Sequence, residues 1–274
     1  MARPIAFLSD YGLDDEFVGV CHGVIARIAP DAPVIDLTHG IPPHEVSLGA
    51  LVLADSVRFM PEGSVYLAVV DPGVGTRRRS VAVETGSGAH LVGPDNGLLS
   101  LAWHELGGPV RSVEISSGKV VLEPVSKTFH GRDVFSPAAA HLATGLPLHE
   151  LGPEVPVGDL VALARPVPAV AQGRVTCTVL AVDRFGNLQL GCASADLERA
   201  GLVDRPALDV HTDLASAEAR RADTFSDVPP GGLALIVDSR GWLALAVNGG
   251  NAAGSLLVGP HDAVTLSSPE GERA

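Results

Sequence analysis

The chain has 274 residues, 46% of them hydrophobic and 4% aromatic, enough to bury one large core or two smaller ones built mainly from Val, Leu, Ala and Ile. A formal net charge of −13 repels phosphate backbones and tolerates cationic or neutral ligands, which argues against nucleic acid as a partner. Cys21, Cys177 and Cys192 form no C-x-x-C pair, the start is not signal-like and no apolar run reaches about 18 residues, so the expectation is a cytoplasmic protein that does not enter membranes.

In chain order, "PIAFLSD" reads as a strand, Glu16 to Ala29 as a helix, "APVIDLT" as a strand, His44 to Phe59 as a helix and "SVYLAVVD" as a strand. This β-α-β-α-β order predicts an α/β domain with a largely parallel sheet, in which ligands sit beyond the carboxyl ends of the strands. Asp10, Asp36, Thr38 and Asp71 all fall at such ends. The strand-like runs "RSVAVET" and "AHLVGPD" and the helical runs Leu98 to Leu106 and Val134 to Thr144 complete the domain, taken as residues 1–165. From 153 to 172 the chain becomes rich in Pro and Val and reads as a linker or extended crossover. Beyond it, "GRVTCTVLAVDRFGNLQLGC", "PALDVHT", "GGLALIVDSRGWLALAVNGGNAA" and "DAVTLSS" predict an all-β, sandwich- or barrel-like second domain over 172–274.

Motifs for nucleoside-triphosphate, zinc-protease and serine-hydrolase chemistry (G-x-x-x-x-G-K-[ST], H-E-x-x-H, G-x-S-x-G) are absent. His39 and His44 are separated by Pro42 and Pro43, which prevents a helical ligand pair, and no metal is expected there. The segment "DPGVGTRRR", Asp71 to Arg79, allows two readings: turn chemistry before a solvated basic run, or a carboxylate at a strand end with an arginine returned toward it. Arg78 is seven residues from Asp71 across that turn, and "KTFHGRD" places His130 just before a helix-like segment.

Taken together and in order, "FLSDYG", "DLTHGIPPHEV", "VVDPGVGT", "GPDNGLL", "TFHGRD", "VDRFGN", "SRG" and "LALAVNGGNAA" resemble the S-adenosylmethionine hydroxide adenosyltransferases, also called S-adenosylmethionine hydrolases. These are relatives of the fluorinase and chlorinase, and the resemblance spans roughly residues 4 to 268. It implies an N-terminal α/β domain, a β-barrel-like C-terminal domain and a homotrimer with active sites at subunit interfaces. It also implies hydrolysis of S-adenosyl-L-methionine to adenosine and L-methionine by displacement at the ribose 5′ carbon, with no cofactor. The family's catalytic Asp-Arg-His set falls on Asp71, Arg78 and His130, where halogenases have Tyr for the Asp and lack the His.

By the same resemblance Asp10 binds the ribose hydroxyls, Thr128 and Phe129 line the sugar or nucleophile pocket, Asp183 pairs the methionine ammonium and Asn187 reads the adenine edge, with Phe185 in the same loop. Ser239 and Arg240 match the carboxylate-binding turn, Gly249 an adenine-contacting peptide, and His44 stands where the fluorinase has a Trp. In the expected mechanism Asp71 orients water and accepts its proton, while Arg78 and His130 stabilise the developing oxygen charge. Three other functions stay open: a halogenase making a 5′-halo-adenosine, a non-catalytic S-adenosylmethionine-binding trimer, and, from the fold alone, a nucleoside-binding scaffold acting on another adenosyl compound.

Overall fold

The computed structural model describes residues 2–269. The chain divides into two compact units, 1–164 and 165–274.

The first unit alternates strands and helices: β1 (Ile5–Ser9), α1 (Phe17–Ile28), β2 (Val34–Thr38), α2 (Val46–Ser56), β3 (Val65–Val69), β4 (Ser80–Thr85), β5 (His90–Pro94), α3 (Ser100–Glu105), β6 (Pro109–Glu114) and α4 (Ser136–Ala143). The sheet order is β2-β1-β3-β5-β4-β6. β2, β1, β3 and β5 run parallel, and β4 is antiparallel to both β5 and β6. Every residue of β1 and β3 is buried, as expected for central strands covered on both faces. Val18, Cys21 and Ile25 recur at helical spacing along α1 and share one core with Ile5, Phe7, Val65, Leu67 and the alanines of α4.

Register decides where the chemistry emerges. Leu8 pairs with Ala68 and Ser9 with Val69, so β1 and β3 end side by side and release Asp10 and Asp71 at the same edge. β2 carries an irregularity: Phe7 faces Asp36 but Leu8 faces Thr38, which leaves Leu37 out of the register. Residues 153–163 do not hang free of this unit. Val155 N–H bonds Ser112 O at 2.9 Å, Val161 N–H bonds Asp95 Oδ1 at 2.8 Å and Leu163 N–H bonds Ser100 Oγ at 2.9 Å.

The second unit comprises β7 (Ala169–Ala171), β8 (Arg174–Val182), β9 (Leu188–Leu190), α5 (Ser194–Arg199), β10 (Ala207–His211), β11 (Ser216–Arg221), β12 (Leu233–Val237), β13 (Leu243–Val247), α6 (Ala252–Leu256) and β14 (Ala263–Ser267). Its strand order is β14-β10-β11-β12-β13-β9-β8-β7, and pairing of β14 with β8 closes the first seven of these into a barrel. Closure removes the exposed edges that an open sheet would present. The interior is aliphatic, with Val175, Val179, Leu188, Leu208, Leu245 and Leu266 fully buried.

Candidate active site

Asp71 follows the buried β3 and opens a tight turn in which Val74 N–H bonds Asp71 O at 3.2 Å and Thr76 N–H bonds Gly73 O at 3.1 Å. Gly75 has φ +75°, and a Cβ there would stand 2.4 Å from Lys127 O. The absent side chain lets the 71–79 turn lie directly on the 126–130 segment. That segment then enters a π-helical turn, Gly131–Phe135, closed by Ser136 N–H bonding Gly131 O. Asp133, 2% exposed, anchors it by accepting Ser126 N–H at 2.8 Å and the Arg132 guanidinium on both oxygens. Burial alone would raise the Asp133 pKa, but the Arg132 and Ser126 hydrogen bonds outweigh it and hold the carboxyl below its usual value.

Two segments far apart in sequence thus bring Asp71, Arg78 and His130 into one network. Arg78 Nε donates to Asp71 Oδ1 at 3.0 Å and Nη2 to Asp71 Oδ2, a bidentate fork with side-chain exposures of 8% and 6%. Nη2 also donates to His130 Nδ1 at 3.0 Å, and Nη1 to Ser80 Oγ at 2.8 Å and Arg79 O at 3.1 Å. Since a guanidinium can only donate, His130 Nδ1 accepts and the imidazole proton resides on Nε2. Burial, then the adjacent Arg78 charge, lower the His130 pKa and favour this neutral form. Arg78 lies 5.2 Å from the Phe135 ring centroid, a cation–π contact that further fixes its plane.

The three arginines diverge. Arg77 is exposed, and Arg79 pairs with Asp95 at 2.6 Å and donates to Asp159 O. Arg78 alone of the three reaches Asp71.

Asp10, Tyr11, His44, Val69, Asp71, Val74, Thr128, His130 and Gly131 line one cavity of about 140 Å³. Asp10 Oδ2 accepts His44 N–H at 3.0 Å, across a His44 backbone at φ 71°. Oδ1 keeps its acceptor capacity for a ligand. Phe129 does not line the cavity; it packs edge-on against Tyr11 and Phe17, with centroids 5.8 and 5.1 Å away. The sequence reading passed over Tyr11, Ser80 and Asp133. Tyr11 stands one residue after Asp10 in "SDYG", Ser80 directly follows the arginines, and Asp133 closes "HGRD".

In the barrel, Asp183 and Asn187 come together within the β8–β9 turn. Asp183 Oδ1 accepts Phe185 and Asn187 N–H at 2.8 and 2.9 Å, and Oδ2 accepts Asn187 Nδ2 at 2.8 Å. Phe185 is 65% exposed. The turn rests on the start of α6: Ala253 N–H bonds Gly186 O at 3.0 Å, so "VDRFGN" meets "NGGNAA". Ser239 and Arg240 lie in the β12–β13 turn, where Asp238 Oδ1 accepts Arg240 and Trp242 N–H at 2.8 and 3.0 Å. Arg240 Nη1 reaches Gln189 Oε1 at 3.2 Å, and Gln189 Nε2 donates to Asp238 at 3.0 Å. Gly249 has φ 73°.

Comparison with known proteins follows the same division. Residues 5–152 match the profile of the SAM hydroxide adenosyltransferase N-terminal domain, and residues 177–265 that of its C-terminal domain. An (R)-S-adenosyl-L-methionine hydrolase of Salinispora arenicola is 49% identical over 264 residues, covering 96% of this chain and 97% of that protein. A fluorinase of an Actinoplanes species is 33% identical, covering 89% of this chain and 90% of that one. A crystal structure of an uncharacterized conserved protein from Thermotoga maritima superposes with a TM-score of 0.89 at 36% identity, covering 96% of this chain and 99% of that one. With both domain profiles matched in order and relatives aligned along nearly its whole length, the chain belongs to the SAM hydroxide adenosyltransferase family.

Proposed function

We propose that the chain hydrolyses S-adenosyl-L-methionine to adenosine and L-methionine, with water displacing the sulfonium at the ribose 5′ carbon. The observation that carries this reading is the Asp71–Arg78–His130 network at the wall of a cavity that also presents Asp10 and Thr128. The Salinispora relative is named for that hydrolysis, as is a Thermus thermophilus protein 44% identical to this chain.

The leaving group is a neutral thioether, so no acid need protonate it. As the C5′–O bond forms, the C5′–S bond breaks with its electron pair going to sulfur. The difficulty is the nucleophile: lowering water from a pKa of about 15.7 to neutrality corresponds to about 12 kcal/mol, more than one carboxylate supplies. Asp71 therefore orients water and takes its proton as the bond forms. His130, with its proton on Nε2, is able to donate to the same water and align its lone pair. All five N–H groups of Arg78 are engaged within the chain, so Arg78 is a positioning residue: it orients the Asp71 carboxylate and favours the neutral His130. This assigns to His130 alone the contact with the water oxygen that the sequence reading shared between Arg78 and His130. Low exposure of Asp71 and Arg78 suits a step in which a hydroxide-like nucleophile and a sulfonium cation annihilate charge.

From the family resemblance we also assign the ribose hydroxyls to Asp10, the sugar pocket to Thr128, with Phe129 behind it as packing for Tyr11 rather than as a wall, and the adenine and methionine moieties to Asp183, Phe185, Asn187, Ser239 and Arg240. The same resemblance supports a homotrimer with active sites at subunit interfaces and no cofactor, and three cysteines without a C-x-x-C pair favour a cytoplasmic location. No helix among the described residues is long and apolar enough to cross a membrane.

The test is to incubate purified protein with each sulfonium epimer of S-adenosyl-L-methionine in ¹⁸O-water containing chloride and fluoride, and to separate the products by chromatography. The expected result is adenosine labelled at the 5′ oxygen and an equal amount of methionine, with the R epimer preferred as in the relatives' names. A 5′-halo-adenosine, or binding without turnover, overturns the reading. Asp71→Asn should lower kcat by about 10²–10⁴-fold with little change in KM, the pattern of an interaction made in the transition state. Unchanged turnover removes Asp71 from catalysis.

A further inference from the structure

Behind the Asp10 end of β1, three side chains converge: His22 of α1, Asp36 of β2 and His39 just after β2. His22 Nε2 lies 2.9 Å from Asp36 Oδ1, and His39 Nε2 lies 3.0 Å from the same oxygen. One ligand atom from each lies within 4.8 Å of the other two. Asp36 keeps the regular register opposite Phe7, whose ring packs against both imidazoles with centroids 6.0 and 4.6 Å away.

His39 is 5% exposed, and its Nε2 is buried without a hydrogen bond although a carboxylate oxygen stands 3.0 Å away. Its Nδ1 lies 2.7 Å from Ser9 Oγ. A histidine that ligates a metal through Nε2 has its other ring nitrogen held by an oxygen in this way, which fixes the tautomer and ring orientation. With the proton on Nδ1, the buried Nε2 lone pair is left unused beside a carboxylate oxygen, and a cation bound by both satisfies it.

We infer that His22, Asp36 and His39 form a site for a divalent transition-metal cation of the zinc class. Two imidazoles and one carboxylate match zinc's ligand types, and imidazole disfavours magnesium and calcium, which take oxygen donors. Bonds of about 2.0–2.2 Å on a tetrahedron require donor separations near 3.3 Å, so the two histidine–Asp36 distances open by only a few tenths of an ångström on binding while the imidazole nitrogens, within 4.8 Å of each other, adjust toward the same separation. His22 and Asp36 are 34% and 41% exposed, which supplies an entry path and leaves a fourth position to water. The metal does not touch the cavity. His39 holds Ser9 through Nδ1 and Gly12 through its carbonyl at 2.8 Å, so a metal on His39 braces the Ser9–Gly12 segment that presents Asp10 and Tyr11.

The experiment uses the full chain, stripped with chelator and dialysed, titrated with Zn²⁺ by calorimetry and with Co²⁺ by visible absorption. One equivalent should bind saturably, raise the unfolding midpoint and give the d–d bands of a low-coordinate Co²⁺ centre, and excess Mg²⁺ should not compete. His22→Ala and Asp36→Asn, both at partly exposed positions, should keep the fold and weaken Zn²⁺ binding by at least about tenfold. His104→Ala, at an exposed position elsewhere, should bind as the parent does. Absence of saturable binding, or binding that survives both substitutions, overturns the assignment. Metal uptake is read directly, so neither result depends on hydrolysis.

Discussion

Arg78 shows how one residue can be indispensable without touching a substrate. Its fork spans Asp71, and its remaining N–H groups fix His130, Ser80 and the backbone of Arg79, so its geometry determines theirs. Lysine keeps the charge but cannot make this set of bonds. Arg78→Lys should therefore lower kcat by about 10²-fold or more and also cost about 1–3 kcal/mol of stability through the buried acceptors it leaves unpaired. The neighbours behave differently. Arg77→Ala should stay within about 0.5 kcal/mol of the parent in stability, with parent-like kcat. Arg79→Ala strands Asp95, 4% exposed, and should cost about 1–3 kcal/mol of stability, again with parent-like kcat. Denaturant curves beside steady-state kinetics separate the three. Spacing could not choose among three consecutive arginines, because which one turns back depends on the Gly75 approach to Lys127, a contact between segments some fifty residues apart. His130 adds a pH signature. Its Nδ1 must be unprotonated to accept from Arg78, and its lowered pKa keeps it so at neutral pH. As pH falls through that lowered value, below the ordinary histidine value of about 6.5, Nδ1 gains a proton that faces Arg78 and kcat should drop.

At the scale of elements, the site is a junction between the turn after β3 and the entry to α4, and glycines set how closely they meet. A Cβ at Gly131 would stand 2.0 Å from Tyr11 Oη, and Gly75 combines φ +75° with the Lys127 carbonyl. Gly75→Ala is expected to cost about 1–3 kcal/mol in stability and to lower kcat/KM disproportionately, because the strained turn must lift away from the segment carrying His130. If urea midpoints fall while kcat/KM is preserved, the junction is structural alone. The elements themselves were mostly legible. β1, β3 and α1 announce themselves through continuous apolar runs or an apolar face at helical spacing, because burial on the sheet demands it. β11 did not: "SAEARR" reads as polar surface, and its single fully buried residue, Ala219, leaves almost no hydrophobic signal. β6, "PVRSVE", escaped for the same reason, with Ser112 and Val113 its buried residues. The His22–Asp36–His39 group was equally hidden, since its members meet only once α1 folds back over an irregular β2.

Across the whole molecule the two units should answer acid differently. His90, His130 and His141 all lie in the first unit, and burial lowers the pKa of each. His90 is pushed down to about 4, by burial first and then by Arg3, whose Nη1 donates to His90 Nδ1 at 2.7 Å. The unfolded chain binds a proton at each of these histidines near pH 6.5, whereas the folded chain does not until lower pH. Stability then rises with pH wherever the unfolded state holds more protons, so the contribution is intact above about 6.5 and is lost as pH falls below it. For His90 the loss stops growing near pH 4, where the folded form protonates as well. Each unit carries one of the chain's two tryptophans, Trp103 in α3 and Trp242 beside β13, so fluorescence can follow the units one at a time. In a Trp242→Phe variant the Trp103 urea midpoint should fall between pH 7 and pH 4.5 by more than the Trp242 midpoint falls in a Trp103→Phe variant. Adding His90→Gln, which cannot take up a proton in either state, should flatten part of the Trp103 dependence and leave that of Trp242 alone. Equal slopes for both reporters, or a slope untouched by His90→Gln, would place the acid sensitivity elsewhere than in these buried histidines.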